Sequence, residues 1–433
     1  MNPPNAVSPP QDWTEPERGL WHAFHQAGWY DLRGQEDTTI RASVLQHLLL
    51  GPTPSVEGRV ARLRLSGAEV TGQLDLRDVG AQLLVLLVDC SFAEPIMLSG
   101  ATLRLVLDRS TLSGVVAQDA HIAGSLLARK VRITGQLRLR GTRVDGNIDL
   151  SGATLTYPDG DCLYADNVTV DGDLLANDGF TATGGISLAG ARVGRDLNLD
   201  GATLHGALSF VEGQAQRLRL RLTASSTGNV DLTDARLGRF YLRPGDWPAG
   251  CTLDLDGFTV ERIVPDGAWP ARARVTWIEK HTAGYSPSGY EQLAATYRRE
   301  GHEAEARYVL RNKELRRHRQ LGPAGQLWGW VQHVTVGFGY APGRALLWLA
   351  ALLAFGTAYF SGHRLDPVIA GEAPTWQPLV YTLDLIVPLV DFGHERAYDP
   401  SGIDQAVALA LVVLGWVLAA AVVAGASRTL KRA

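Results

Sequence analysis

Between residues 59 and 261, apolar and polar positions alternate in short bursts, each opened by a glycine. GQLDL begins at Gly72, GSLLA at Gly124, GQLRL at Gly135 and GNIDL at Gly146, followed by GDLLA at Gly172, GGISL at Gly184, GALSF at Gly206 and GNVDL at Gly228. A period of two is the pattern of a strand with one buried face. It turns Leu74, Leu76, Leu137, Leu139, Ile148, Leu150, Leu197, Leu199, Val230 and Leu232 inward, and Asp75, Arg138, Asp149, Asn198 and Asp231 toward water. The steps from Gly114 through Gly124 and Gly135 to Gly146 are 10, 11 and 11 residues, and GA[TE][LV] recurs at Gly67, Gly100, Gly152 and Gly201. A short fixed period predicts a solenoid. Two units per coil give roughly nine coils and, at about 4.8 Å per stacked strand, a rod of about 45 Å. The glycine before each strand is expected to turn a corner at positive φ. Pro158-Asp159-Gly160, in the long gap between Gly146 and Gly172, reads as a protruding turn.

Solenoid ends expose strand edges that need covers. Residues 1–57 predict a helical cap. Thr14-Glu15-Pro16-Glu17 is a capping box with proline in the first turn, leading into GLWHAF, and a second helical stretch, IRASVLQHLLLG, stops at Gly51. After the solenoid, taken as 58–265, residues 266–320 predict a helical hairpin broken at Gly301. Tyr290, Leu293, Ala294 and Tyr297 share one face there, as in a single tetratricopeptide unit.

From 321 to 433 the pattern becomes apolar on every side. Residues 345–362 and 406–426 are uncharged and long enough to cross a hydrocarbon core of about 30 Å. Lysine and arginine cluster before the first stretch (Arg307 to Arg319, and Arg344) and after the second (Arg428, Lys431, Arg432), while only Arg364 and Arg396 lie between them. Both termini, and the solenoid with them, are therefore expected on the cytoplasmic side of a plasma (inner) membrane. Residues 335–339, TVGFG, differ by one letter from the carbonyl filter of potassium channels. They precede the first span, where no filter belongs. Trp328, Trp330, Gly337, Gly339, Tyr340 and Pro342 instead read as an elbow at the membrane interface. Residues 376–395 hold an apolar segment, Leu379–Val390, too short to span, and read as a re-entrant loop or an interfacial helix. Asp384, Asp391 and Glu395 are its candidate pore-mouth carboxylates.

Composition adds mainly exclusions. The chain has 433 residues and a net charge of −4, which gives no basic footprint for nucleic acid. Cys90, Cys162 and Cys251 form no CxxC or zinc pattern and suit free thiols in a reducing compartment. The stretch MNPPNAVSPPQDW lacks the basic and apolar regions of a secretory signal. There is no P-loop, HExxH, GxSxG or complete GxGxxG motif. His22 and His25 lie one helical turn apart without a third ligand and read as packing residues. No cofactor, metal site or catalytic residue is expected.

The glycine-led ladder resembles the pentapeptide-repeat-like, right-handed β-helix proteins, over about 200 residues and without their strict five-residue register. This resemblance implies a binding or shape-mimicking surface more than an enzyme. Two spans around a short apolar segment resemble two-span pore-loop channels, and similar C-terminal pairs accompany β-helix sensors in some bacterial membrane proteins. The fold expected is mainly β, a right-handed β-helix with helical caps followed by a two-helix transmembrane domain. The function expected is a cytoplasmic β-helix binding or sensor domain joined to a channel-like module that conducts cations as a homo-oligomer. Its partners would be the bilayer, other copies of itself and a cytoplasmic ligand or protein. The alternatives are a membrane-tethered scaffold without transport, and an enzyme of the oxidoreductase label that such chains sometimes carry.

Overall fold

The computed structural model describes residues 9–51, 62–80, 83–242, 247–265, 269–282, 284–335, 342–369, 374–387 and 391–430. The chain divides into two compact units, residues 1–301 and 302–433.

The first unit is a mainly-β, parallel solenoid of about nine turns. Its strands stack in two long parallel sheets, and equivalent residues recur one coil apart. Arg132 pairs with Thr154, and Ile122 with Val144, at a repeat of 22 residues. All ten residues assigned inward by alternation are buried, with relative exposures of 0–2%. The outward positions divide. Arg138 is exposed, while Asp75, Asp149, Asn198 and Asp231 are half-buried because each braces a corner. Their side-chain oxygens accept the N–H of Arg77, Ser151, Asp200 and Thr233 respectively, two residues on. Short polar side chains that fold back onto the main chain hold turns in this way.

The glycine expectation needs correction. Gly72, Gly124, Gly184 and Gly228 do have positive φ, but Gly135, Gly146, Gly172 and Gly206 do not. These four allow close packing of coil on coil, since a Cβ at Gly135 would overlap the carbonyl of Ser113 and one at Gly206 that of Gly184. A further column of left-handed residues runs up the stack through Asp78, Gly100, Asp119, Gly141, Asn167, Gly190, Glu212, Asp234 and Gly257. Aspartate, asparagine and glycine tolerate this conformation best, and Glu212, Arg109 and Lys130 also adopt it in this solenoid. Pro158, Asp159 and Gly160 protrude as expected and are exposed, but as a bulge rather than a turn between strands. Thr154–Tyr164 is one continuous strand with a bulge, in which the five-residue step from Thr156 to Asp161 faces the two-residue step from Thr183 to Gly185.

Helices α1 (Glu15–His25) and α2 (Ala42–Leu50) cover the N-terminal end. The capping box forms as expected: the Thr14 hydroxyl accepts the Glu17 N–H, and the Glu17 carboxylate accepts the Thr14 N–H. Glu17 is 1% exposed and also pairs with Arg41 at 2.7 Å. Burial pushes its carboxyl pKa up. The Arg41 hydrogen bond and two main-chain N–H groups outweigh burial and hold it below the ordinary value. The cover is not purely helical, because the short strands Tyr30–Asp31 and Thr39–Arg41 extend both sheets by one rung.

At the other end, α3 (Ala271–His281) and α4 (Pro287–Arg299) close the stack. Thr282 bridges to Leu253 on the last strand of one sheet, and Arg299 Nη2 donates to the carbonyl of Val260 on the last strand of the other, at 3.0 Å. The face predicted from Tyr290, Leu293, Ala294 and Tyr297 is buried.

The second unit contains α5 (Glu303–Arg319), α6 (Pro323–Thr335), α7 (Pro342–Gly362), α8 (Pro378–Ile386) and α9 (Ile403–Leu430). The proposed hairpin thus has α4 in one unit and α5 in the other. Among the described residues one helix is long and apolar enough to cross a membrane, α9, over Ile403–Ala420; the apolar run of α7, Leu347–Gly362, is shorter. Short antiparallel strands, Asp366–Pro367 and Tyr398–Asp399, close the segment between them.

Candidate functional site

Two places in the structure carry arrangements that packing alone does not require. One is the α7–α8–α9 layer of the second unit. The other is a groove on the flank of the solenoid in the first.

In the helical layer, α8 packs against both longer helices. Phe360 from α7, Tyr381, Leu385 and Ile386 from α8, and Ala408 and Leu411 from α9 form one buried cluster. Glycine makes this approach possible: a Cβ on Gly356 would overlap Thr382, and one on Gly415 would overlap the carbonyl of Ile386. The opposite faces of the same helices are also apolar. Leu347, Trp348 and Phe355 on α7, and Leu409, Val413 and Trp416 on α9, are 45–71% exposed.

The three candidate carboxylates have different surroundings. Asp384, on α8, is buried at 5% exposure. Its Oδ1 accepts the N–H of Phe392, and its Oδ2 accepts those of His394 and Glu395, all at 2.8 Å. A carboxylate inside an apolar helix needs a partner, and here the partner is the main chain of the following loop. Asp391 is exposed, accepts the N–H of Gly393 at 2.8 Å and lies 3.3 Å from Arg396. Glu395 is exposed on the same loop. Of the other acidic residues, Asp404 is half-buried and accepts the Tyr359 hydroxyl at 2.9 Å, joining α7 to α9.

The elbow residues Gly337, Gly339 and Tyr340 lie outside the described residues. Trp330 on α6 is 63% exposed, Trp328 lies on the same helix and Pro342 opens α7. Trp348 Nε1 donates to the carbonyl of Val334 at 3.2 Å, which ties α7 to the end of α6. His22 and His25 pack on Trp21, and His25 Nδ1 lies 2.8 Å from the Trp21 carbonyl.

The solenoid groove escaped the sequence reading. It has a volume of about 1210 Å³ and runs across five stacked strands, with α4 as one wall. Arg192, Gln214 and Arg236 stack in one register column, and Arg217 and Arg239 in the next. Gly194 and Gly238 leave bare main chain on the floor between the two columns. Arg217 is paired with Asp196, and the Arg299 guanidinium is held by main-chain carbonyls. Arg192, Arg236 and Arg239 are exposed, and no carboxylate among the described residues lies within 4 Å of them. Residues 22 apart become neighbours only when the coil period is applied to the polar positions as well as the apolar ones. The spacing of Arg192, Gln214 and Arg236 was the available signal.

Comparison with known protein families, with curated proteins and with solved structures finds no match to this chain.

Proposed function

We propose that this protein is a membrane-anchored recognition protein. In this reading α7 and α9 insert in a bilayer with α8 as a short re-entrant helix between them, and the solenoid presents a binding surface. The observation that carries it is the two-sided apolar character of α7 and α9. One stripe of each buries α8, while Leu347, Phe355, Leu409 and Trp416 on the other faces are exposed. Helices apolar all round belong in a protein core or in lipid, and continuous exposed surface of this kind marks an interface. Charge counts favour cytoplasmic termini and a cytoplasmic solenoid. The test is alkaline carbonate extraction of membranes containing the full chain, followed by protease treatment of sealed inside-out and right-side-out vesicles. Retention in the pellet, with the solenoid cleaved only from the cytoplasmic face, is expected. Recovery in the carbonate supernatant would refute the anchor.

A second reading, cation conduction by a homo-oligomer, is favoured by the loop beyond α8. Asp391 and Glu395 are exposed there, on a segment that Asp384 pins to the helix. Exposed carboxylates at such a mouth concentrate cations. Mass in detergent and ion flux in liposomes, with wild type and Asp391→Asn, decide between them. A monomer without flux leaves the tethered scaffold, and flux insensitive to Asp391→Asn removes that residue from the mouth.

A further inference from the structure

Resting on the reading of the solenoid as a recognition surface, we propose that its arginine groove binds an acidic, extended peptide with carboxylates at every third position. Arg192, Arg236 and Arg239 supply the charges. Other arginines of the same solenoid are already committed to carboxylates, Arg109 to Asp89, Arg143 to Asp171 and Arg217 to Asp196. The three in the groove have no such partner among the described residues, and Arg239 lies directly opposite Arg217 and Arg262 on the adjacent strands, where like charges repel. An anion that enters relieves this repulsion, and guanidinium groups take carboxylates through paired hydrogen bonds.

The remaining lining selects a peptide. None of the described residues lining the groove is aromatic, so they offer single-stranded nucleic acid no surface on which to stack its bases. Gln214, Gln216 and Gln292 offer amide donors and acceptors suited to a main chain, and Gly194 and Gly238 let that chain come close.

Spacing then selects the peptide's conformation. Arg192 and Arg236 are two coils apart in one column, about 9.6 Å at the usual strand separation. A polyproline II helix has three residues per turn and brings one face round every ~9.3 Å. A β-strand repeats its face every ~6.7 Å and misses the pair. The matching motif is therefore Asp-x-x-Asp or its glutamate equivalent.

The test uses the full chain in detergent micelles and fluorescence polarisation of a labelled (Asp-Pro-Pro)4 peptide. Saturable binding that weakens with salt is expected. Arg192→Glu and Arg236→Glu should each weaken it by about tenfold or more, while Arg140→Glu, at an exposed arginine outside the groove, leaves it unchanged. A peptide of equal charge with aspartate at every second position should bind less tightly. The substituted side chains are exposed, so the circular dichroism melt should match wild type. Absence of saturable binding, indifference to Arg192→Glu and Arg236→Glu, no preference for three-residue spacing, or tighter binding of an oligothymidylate or of tripolyphosphate would each overturn the proposal. Lost peptide binding in a chain that stays in carbonate-washed membranes would leave the anchor reading in place. Intact peptide binding in a chain released by carbonate would do the reverse.

Discussion

Replacing Asp384 should unfasten the loop beyond α8. The carboxylate is 5% exposed and accepts three main-chain N–H groups at 2.8 Å. Hydrogen bonds to an ionised acceptor contribute about 1.5–3 kcal/mol each, and a donor left buried and unpaired costs about 1–3 kcal/mol. His394 N–H is buried with its residue, while those of Phe392 and Glu395 belong to exposed residues that water can reach. One full loss and two partial ones give about 3–5 kcal/mol for Asp384→Ala. Asp384→Asn keeps one acceptor oxygen but turns an amide NH2 toward donors, so it should lose about 2–3 kcal/mol. The assay is limited proteolysis of the chain in micelles, read at Arg396, together with a thermal melt. For a domain of this size ~3 kcal/mol corresponds to a fall of about 10 °C. Arg396 should become cleavable in both variants, and Asp391→Asn, at an exposed site, should leave the melt within about 2 °C of wild type. Equal melting of Asp384→Asn and wild type would refute the bracing role.

Gly415→Leu should separate α8 from α9, because any Cβ there overlaps the Ile386 carbonyl; a loss of about 3 kcal/mol or more in denaturant titration is expected, and wild-type stability would contradict the close crossing. Leu150→Ala, at a fully buried rung, should cost about 2–5 kcal/mol by the same titration and lower the protection of neighbouring coils in hydrogen exchange. All three thiols should resist alkylation at pH 8 until the chain unfolds, since burial raises each of them, Cys90 and Cys162 to about 11; quantitative labelling of the native chain would contradict this. Glu17, whose folded pKa is lowered, contributes stability that is full above the ordinary carboxylate range and lost as pH falls through the folded value. Glu17→Gln should therefore remove about 1–2 kcal/mol at pH 7 and flatten the acid limb of the stability curve, and a variant with the wild-type acid limb would exclude Glu17 as its source.

Features that depend on local period and local chemistry are legible in the chain before it folds. Alternation after each ladder glycine was enough to turn Leu74 through Leu232 inward, because a strand buries every second side chain whatever lies above or below it. The capping box at Thr14 and the stop at Gly51 were legible for the same reason, as each involves residues within one helical turn. The apolar character of α7 and α9 followed from composition. Tertiary structure decided the rest, wherever residues distant in the chain become neighbours. Glycines that looked alike in sequence differ in the fold: Gly72 and Gly124 take positive φ with open space around them, Gly135 and Gly206 pack against the main chain of the neighbouring coil, and Gly184 and Gly228 do both. Asp384 was one acidic residue among several until the loop folded back and filled its two oxygens with N–H donors. Arg192, Arg236 and Arg239 carry no local signature. They become one charged wall because parallel stacking brings each residue over its equivalent about 22 positions away, and that register is set by the whole coil.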